Sequence, residues 1–425
     1  MSIKRPFKPA ALAFAVACAM SISACSDSPD ASQSSPYGQA VDKASSEASS
    51  SLASISDNKA FCAATLDYSA SHLDHFRKTY TDPTQIPRSF EKEVKLVETR
   101  DWTSGFVAGS FWYLYEHTND PSWLASAQEW THALESQQFN VKTHDTGFMI
   151  FNSYGNGLRL TDNQDYIPII VQTARSLMQR YNPVVGATRS WDFGTWEFPV
   201  IVDNMMNLEL LFEAAKLADE QSFADAAVSH ATVTMNNHFR DDYSSFHVVD
   251  YSTTTGEAIH KQTWQGIADD SDWARGQGWG LYGYVMMYRY TQDQSFLDFA
   301  KNITEHYLSH ENMPDDLVPY FDFDAPDDPE VINYRDSSTA ALVASALFEL
   351  ATYVEQDEAK RYEDAAMKML RSLAGSDYLA QKGENGQFLL KQATGNFPGG
   401  YELAGALNYA DYYYLEALTR CKKMM

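Results

Sequence analysis

Cysteine is nearly absent from this chain. Its 425 residues hold four, and two of them, Cys18 and Cys25, fall within the first 25. The other two, Cys62 and Cys421, have no histidine at ligand spacing, which excludes a thiolate zinc site. They either pair in an oxidising compartment or stay two buried thiols, and composition leaves both readings open. Basic residues are scarce too, 32 Lys and Arg against 57 Asp and Glu, for a net charge of −25. Such a surface argues against nucleic acid as a partner and against a broad groove for a long polyanion. A small anionic substrate would need its own local cations in a pocket. After the leader, no run approaches the ~20 apolar residues of a spanning helix. The acidic stretch from Asp322 to Asp328 lacks the glycine and terminal Glu of a calcium loop and reads as a structural turn. We expect no metal and no other cofactor.

The leader has a basic start (Lys4, Arg5, Lys8), an apolar stretch from Ala10 to Met20, and Ile22-Ser-Ala-Cys25. That pattern predicts a signal peptide over 1–24. Its terminal cysteine resembles a bacterial lipobox, which implies a lipid anchor on Cys25. Ser26 after it favours sorting to the outer membrane, facing the periplasm or the cell surface. An ordinary secretory signal with an incidental Cys is the alternative. Residues 26–58 contain 12 Ser and few bulky apolar side chains, so they cannot bury enough surface to fold. They read as a tether holding the domain roughly 30 Å from its anchor.

Residues 59–425 read as helix throughout. Five segments share a polar start and then an aromatic, beginning at Asn119, Asp162, Asp219, Asp293 and Asp357. Each opens a helix with charges on one face. Between them lie helices richer in Gly, Ala and aromatics: 105–117, 145–158, 203–218, 273–290, 337–353 and 401–420. Adding a first charged helix over about 59–79 gives six inner and six outer helices, an all-α (α/α)6 barrel. A closed toroid sets its first and last helices side by side, which favours a Cys62–Cys421 bond. The long loops, 80–103, 181–202, 239–272, 310–336 and 377–400, precede the inner helices and should gather at one end. Phe246–Tyr251 and a partner near 258–264, joined by Thr253–Gly256, predict a small β-hairpin over a pocket there.

Asp203 follows the apolar strip Phe198-Pro-Val-Ile-Val and opens a helix; Asp145 opens another in His144-Asp-Thr-Gly-Phe-Met149. Two carboxylates placed alike suit acid–base work on a sugar, since burial can keep one protonated near neutral pH. Helix capping explains either Asp equally well. Trp102, Trp191, Trp273 and Trp279 belong to the same end, and Trp faces are platforms for sugar rings. His247, Gln265 and Arg275 join them, and the Arg275 fork suits a carboxylate. The alternatives are an ion pair of Arg275 with Asp270 or Asp272, a plain hairpin role for His247, and a capping role for Asp336.

The combination Asp145-Thr-Gly-Phe-Met149, Asp203-Asn-Met-Met-Asn207, the run from Asp270 to Gly283 and Arg335-Asp-Ser-Ser338 resembles unsaturated glucuronyl hydrolases, glycoside hydrolase family 88. The resemblance runs from about Trp102 to Tyr409. It implies a short oligosaccharide substrate ending in a 4,5-unsaturated uronic acid. It also implies hydration of that double bond, with Asp203 as the proton donor and Asp145 assisting. His247 would support proton transfer, Gln265 would bind substrate, and Arg275 would face the uronate carboxylate. Trp102, Trp191, Trp273 and Trp279 would contact the sugars. A rhamnogalacturonyl hydrolase, a conventional inverting glycosidase and a non-catalytic carbohydrate-binding lipoprotein are the rivals. The sequence leaves the oligomeric state open.

Overall fold

Two features organise the chain: helices buried all round and helices buried on one face. The computed structural model describes residues 50–328 and 331–424. The expected signal peptide, Cys25 and most of the expected tether lie outside the described residues. The domain starts earlier than expected, because residues 50–53 form a helical turn that buries Leu52. Arg371 donates to the carbonyls of Ile55 and Ser56, fixing that approach.

The outer helices are α1 (Asn58–Thr79), α3 (Pro121–His132), α5 (Ile167–Met178), α7 (Gln221–Asn237), α9 (Gln294–Ser309) and α11 (Gln356–Leu373). In α11 the buried residues are Tyr362, Ala366, Met367, Met369, Leu370 and Leu373, a single helical face. The inner helices are α2 (Ser104–Thr118), α4 (Asn156–Thr161), α6 (Leu208–Ala218), α8 (Ala274–Thr291), α10 (Ser337–Ala351) and α12 (Asn408–Met424). In α8 every residue from Ala274 to Met287 is buried. Neighbouring inner segments touch in sequence, and α12 returns to α2, so the ring closes. The fold is the expected (α/α)6 barrel. Cys62 of α1 and Cys421 of α12 form a disulfide with their Cα atoms 6.3 Å apart.

The sequence repeat has a local cause. Four inner helices end on a left-handed residue, Asn119, Asp162, Asp219 or Gln292, with φ between 53° and 55°. The next residue starts an outer helix. The side chains of Asp120, Asn163 and Asp293 each accept from the backbone N–H two residues on. The polar start of the repeat is thus a helix stop followed by a cap.

Three inner helices begin differently from expectation. The second enters through a π-helix, Gly147–Gly155, and the third through a 3-10 turn, Val202–Asn207. The last starts at Asn408, because residues 393–405 are bridged into a loop by Ala393–Gly405 and Asn396–Tyr401 pairing.

Three short strands form the expected hairpin and extend it. We number them after β1 (Gln85–Phe90) and β2 (Val94–Glu98): β3 (Pro199–Ile201), β4 (Val248–Tyr251) and β5 (Ala258–Gln262), antiparallel with β4 in the middle. β1 pairs with β2 and also with β6 (Ala406–Leu407), a hairpin absent from the sequence reading.

All six inner segments begin at one end of the barrel. An aromatic plug of Phe106, Phe148, Trp279, Tyr409, Tyr412 and Tyr413 fills the axis below them.

Candidate active site

The Asp203-Asn-Met-Met-Asn207 turn is built to hold two segments together. Asn204 donates to the Thr188 carbonyl and accepts from the Ser190 hydroxyl, tying the turn to the loop of Trp191. Asn207 accepts from the Phe148 N–H, tying it to the π-helix that follows Asp145. Gly147 permits that approach, since a Cβ there would lie 2.7 Å from Asn207 Oδ1. The β3–β4 pairing adds the third segment: Val202 N–H donates to the His247 carbonyl. Asp145, Asp203 and His247 converge because backbone pairing forces them to.

Neither Asp145 nor Asp203 caps a helix. Thr146 and Ile201 occupy the cap positions, and neither segment has a side-chain cap. Both residues are 8% exposed. Burial pushes the Asp203 carboxyl up to about 7; Arg275 opposes the shift and Asp145 adds to it. Its own backbone N–H and the Trp279 indole N–H lower it more weakly. The Trp279 Nε1 and the Asp203 Oδ2 reach no partner at full hydrogen-bond geometry.

His247 Nε2 stands 3.6 Å from that Oδ2. The ring's other nitrogen, Nδ1, accepts from the backbone N–H of Trp264 and Gln265. The neutral ring therefore carries its proton on Nε2, directed at Asp203. Burial, and after it Arg275, hold the imidazolium far below its usual range, so the ring is neutral. Trp273 packs on its face at 4.3 Å.

The pocket above these groups has a volume of about 230 Å³. Of the predicted residues, Trp102, Asp145, Trp191, Asp203 and Gln265 line it. Trp273, Trp279, Arg275 and His247 do not. Trp279 is 1% exposed within the aromatic plug and Trp273 is 2% exposed beneath His247, so neither offers a face to a sugar. Arg275 is 1% exposed and bonded to Asp336 Oδ2 at 2.5 Å and to the carbonyls of Thr394 and Gly395. Its fork is spent inside the protein. The expectation that it meets the uronate, and the alternative of Asp270 or Asp272 as its partner, both fail. Asp336 caps its helix through Ser338 N–H, as expected, and also neutralises Arg275. The acidic turn is structural: Asp322 accepts from Ile267 N–H and Ser271, and Asp324 from Asp272 N–H.

The permanent cation lining the pocket is Arg88 of β1. It forks onto Glu402 at 2.7 and 3.1 Å and reaches Asp101 at 3.0 Å. His144, Phe193, Trp264, Asn396, Tyr401, Glu402 and Tyr409 also line the pocket and were not singled out from sequence. Trp191, Phe193, Trp196 and Trp264 pack ring on ring at its rim, with Phe193 and Trp264 about half exposed. Trp264 stood in the sequence as an unassigned indole in the correct loop.

The profile of Glycosyl Hydrolase Family 88 matches residues 74–423. An unsaturated glucuronyl hydrolase from Formosa agariphila is 45% identical over 362 residues, covering 83% of this chain and 89% of that protein. The crystal structure of an unsaturated glucuronyl hydrolase specific for heparin superposes with a TM-score of 0.83 at 43% identity. The match covers 85% of this chain and 97% of that one. A Streptococcus agalactiae unsaturated glucuronyl hydrolase variant, complexed with dGlcA-GalNAc6S, superposes with a TM-score of 0.71 at 27% identity. There the shares are 85% and 91%.

Proposed function

The chain belongs to glycoside hydrolase family 88, and on that premise we propose that it hydrates the C4=C5 double bond of a 4,5-unsaturated uronate. The uronate forms the non-reducing end of a short oligosaccharide made by a polysaccharide lyase. Asp203 gives its proton to C4 of the unsaturated ring. Water adds through its oxygen to C5, and its second proton returns to Asp203. The C5 hemiketal opens, C1 is left as a hemiacetal, and that centre releases the next sugar. One carboxyl serves as acid and then as base, so it must hold a proton near neutral pH and release it readily. The observation that carries this reading is the Asp203 carboxyl, which lines the pocket and is pushed up to about 7 by burial. His247 Nε2–H supports the carboxylate that forms when the proton leaves. Trp102 and Trp191 pack against the sugars. The test follows loss of ultraviolet absorbance of the conjugated uronate on lyase-generated disaccharides, parent against Asp203→Asn. Decay with the parent alone is expected. Decay with both proteins rejects Asp203 as the acid; cleavage of saturated glycosides instead rejects the hydration chemistry.

We also propose that the enzyme is anchored through a lipid on Cys25, facing the periplasm or the cell surface. The leader pattern supports this, as does a disulfide suited to an oxidising compartment. Among the described residues no helix is long and apolar enough to cross a membrane. Cys25→Ser should move the enzyme from the membrane pellet to the soluble fraction; an unchanged distribution rejects the anchor.

A further inference from the structure

The Arg335-Asp-Ser-Ser338 motif takes no part in the proposed chemistry, and Arg275 does not reach the pocket. Both nevertheless end on the same piece of backbone. Arg275 stands in the first turn of α8 and Asp336 caps α10, so two touching inner helices bring them together. Asp336 is wholly buried. Its Oδ2 meets Arg275 at 2.5 Å and accepts from the Thr339 hydroxyl. Its Oδ1 accepts from the N–H and hydroxyl of Ser338 and from the Thr394 N–H. Arg275 in turn donates to the carbonyls of Thr394 at 2.5 Å and Gly395 at 2.6 Å. The Gly395 carbonyl takes a second donor, the Gln265 amide, at 2.8 Å. The Trp273 and Tyr409 rings lie 4.8 and 5.6 Å from the guanidinium carbon and restrict its motion.

Residues 394 and 395 open a loop that folds back on itself. Ala393 pairs with Gly405, Gly395 N–H donates to the Glu402 carbonyl, and Asn396 pairs with Tyr401. Gly395, Asn396, Tyr401 and Glu402 of this loop form one wall of the pocket. We propose that the Arg275–Asp336 pair is a clamp for this wall, and that Arg275 is a positioning residue that sets the wall for the sugar without touching it. The kinetic side of the inference rests on the hydration chemistry proposed above; the clamp itself rests on the bonds alone. Lysine cannot replace it, because an ammonium keeps the charge but lacks the planar fork that serves three acceptors at once. The charge acts separately. Arg275 opposes the rise of the Asp203 carboxyl, and a variant that keeps the cation keeps that effect.

The test pairs Arg275→Lys with Gly395→Ala. The alanine disturbs the same wall from the other side, since a Cβ there would lie 2.6 Å from the Glu402 Cβ. On a lyase-generated unsaturated disaccharide, each single variant should raise KM by about tenfold and hold kcat within about threefold. The alkaline limb of the Arg275→Lys pH–rate profile should stay within about 0.3 unit of the parent. The double variant should raise KM no further than the larger single change, because both act on one wall. Multiplied KM effects, or an unchanged KM in Arg275→Lys, overturn the clamp. Hydrogen exchange of the full chain gives a readout independent of turnover. Arg275→Lys should speed exchange of the 393–405 amides by about tenfold and leave those of α2 and α6 at parent rates. Asp336→Asn, which is nearly isosteric and keeps the cation, should speed the same amides by a smaller factor. Parent-like exchange over 393–405, or acceleration spread equally through α2 and α6, overturns the clamp. A parent inactive on every unsaturated disaccharide rejects the hydration reading instead and leaves the exchange comparison to decide the clamp.

Discussion

The barrel has a cavity at each end of its inner ring. At the end where the inner helices finish, a cavity of about 510 Å³ is lined by Glu116, Arg159, Glu209, Glu213, Arg289, Glu416, Arg420, Lys423 and several tyrosines. At the end where they start, the pocket above Asp203 is less than half that size. The far cavity is richer in charge, yet its charges are paired at hydrogen-bond distance. Arg420 meets Glu349 at 2.8 Å, Arg289 meets Glu349 and Glu209, and Glu416 accepts from Tyr113, Tyr282 and Ser345. Glu349 shows the effect: burial pushes its carboxyl up, but Arg420 and Arg289 outweigh it and hold it below the usual range. Asp203 is buried to a similar degree and has Arg275 near it, but the Arg275 donors are committed to Asp336 and two carbonyls. Burial therefore wins at Asp203. What separates a structural from a reactive carboxyl here is a partner in contact, not cavity size or charge count.

Asp203→Asn breaks the comparison most sharply. It removes the proposed proton donor, and turnover of an unsaturated disaccharide should fall by at least about 10³-fold in kcat. Stability should move the other way. The folded carboxyl titrates near 7 and the unfolded one near 4, so the native state loses stability as pH rises between those values. The loss reaches about 4 kcal/mol above pH 7. The Asn variant escapes it, so its melting temperature should exceed the parent's at pH 8 and match it at pH 4. Equal melting behaviour at both would place the raised carboxyl in doubt.

The far end predicts the mirror image. Arg420→Met leaves Glu416 without its cation and Glu349 with Arg289 alone, and should destabilise the fold by roughly 3 kcal/mol. Chemical denaturation measures that loss, and kcat at the other end should stay within about twofold of the parent, since additivity holds for distant sites. A large kcat effect would mean that the aromatic plug transmits strain between the ends.

On the proposed mechanism, protonated Asp203 is the active form of the parent. Rate should therefore fall as pH rises through about 7, approaching tenfold per unit beyond it. A flat profile through pH 9 would count against Asp203 as the acid.

These contrasts also explain what was legible in the sequence. Asp145, Asp203, His247 and the hairpin were readable because each sits at an abrupt change of pattern, from an apolar strand to a helix start or across a turn. The ring of twelve helices was readable from its caps and its two kinds of helix. Arg275, Trp273 and Trp279 were placed at the correct end but given the wrong direction. They lie on α8, which is buried on every side, so no solvent-facing stripe distinguishes lining from packing. Arg88 and Glu402 were missed because they are 314 residues apart and meet where β1 pairs with β6. No local pattern announces such a contact.

The smallest expected effect sharpens the comparison at the rim. The far cavity has no exposed aromatic wall, whereas Phe193 and Trp264 stand half exposed beside Trp191. Stacked rings of this kind contribute about 0.5–1.5 kcal/mol each beyond their buried area. Phe193→Ala and Trp264→Ala should therefore raise KM by several-fold and leave kcat nearly unchanged, because neither ring reaches Asp203. The effect should be larger on a trisaccharide than on a disaccharide, since these two rings stand outside the floor where the unsaturated ring reacts. An equal effect on both lengths would show that the rim holds the second sugar only. A fall in kcat instead would show that Trp264, whose backbone N–H fixes the His247 tautomer, acts through that ring rather than on the substrate.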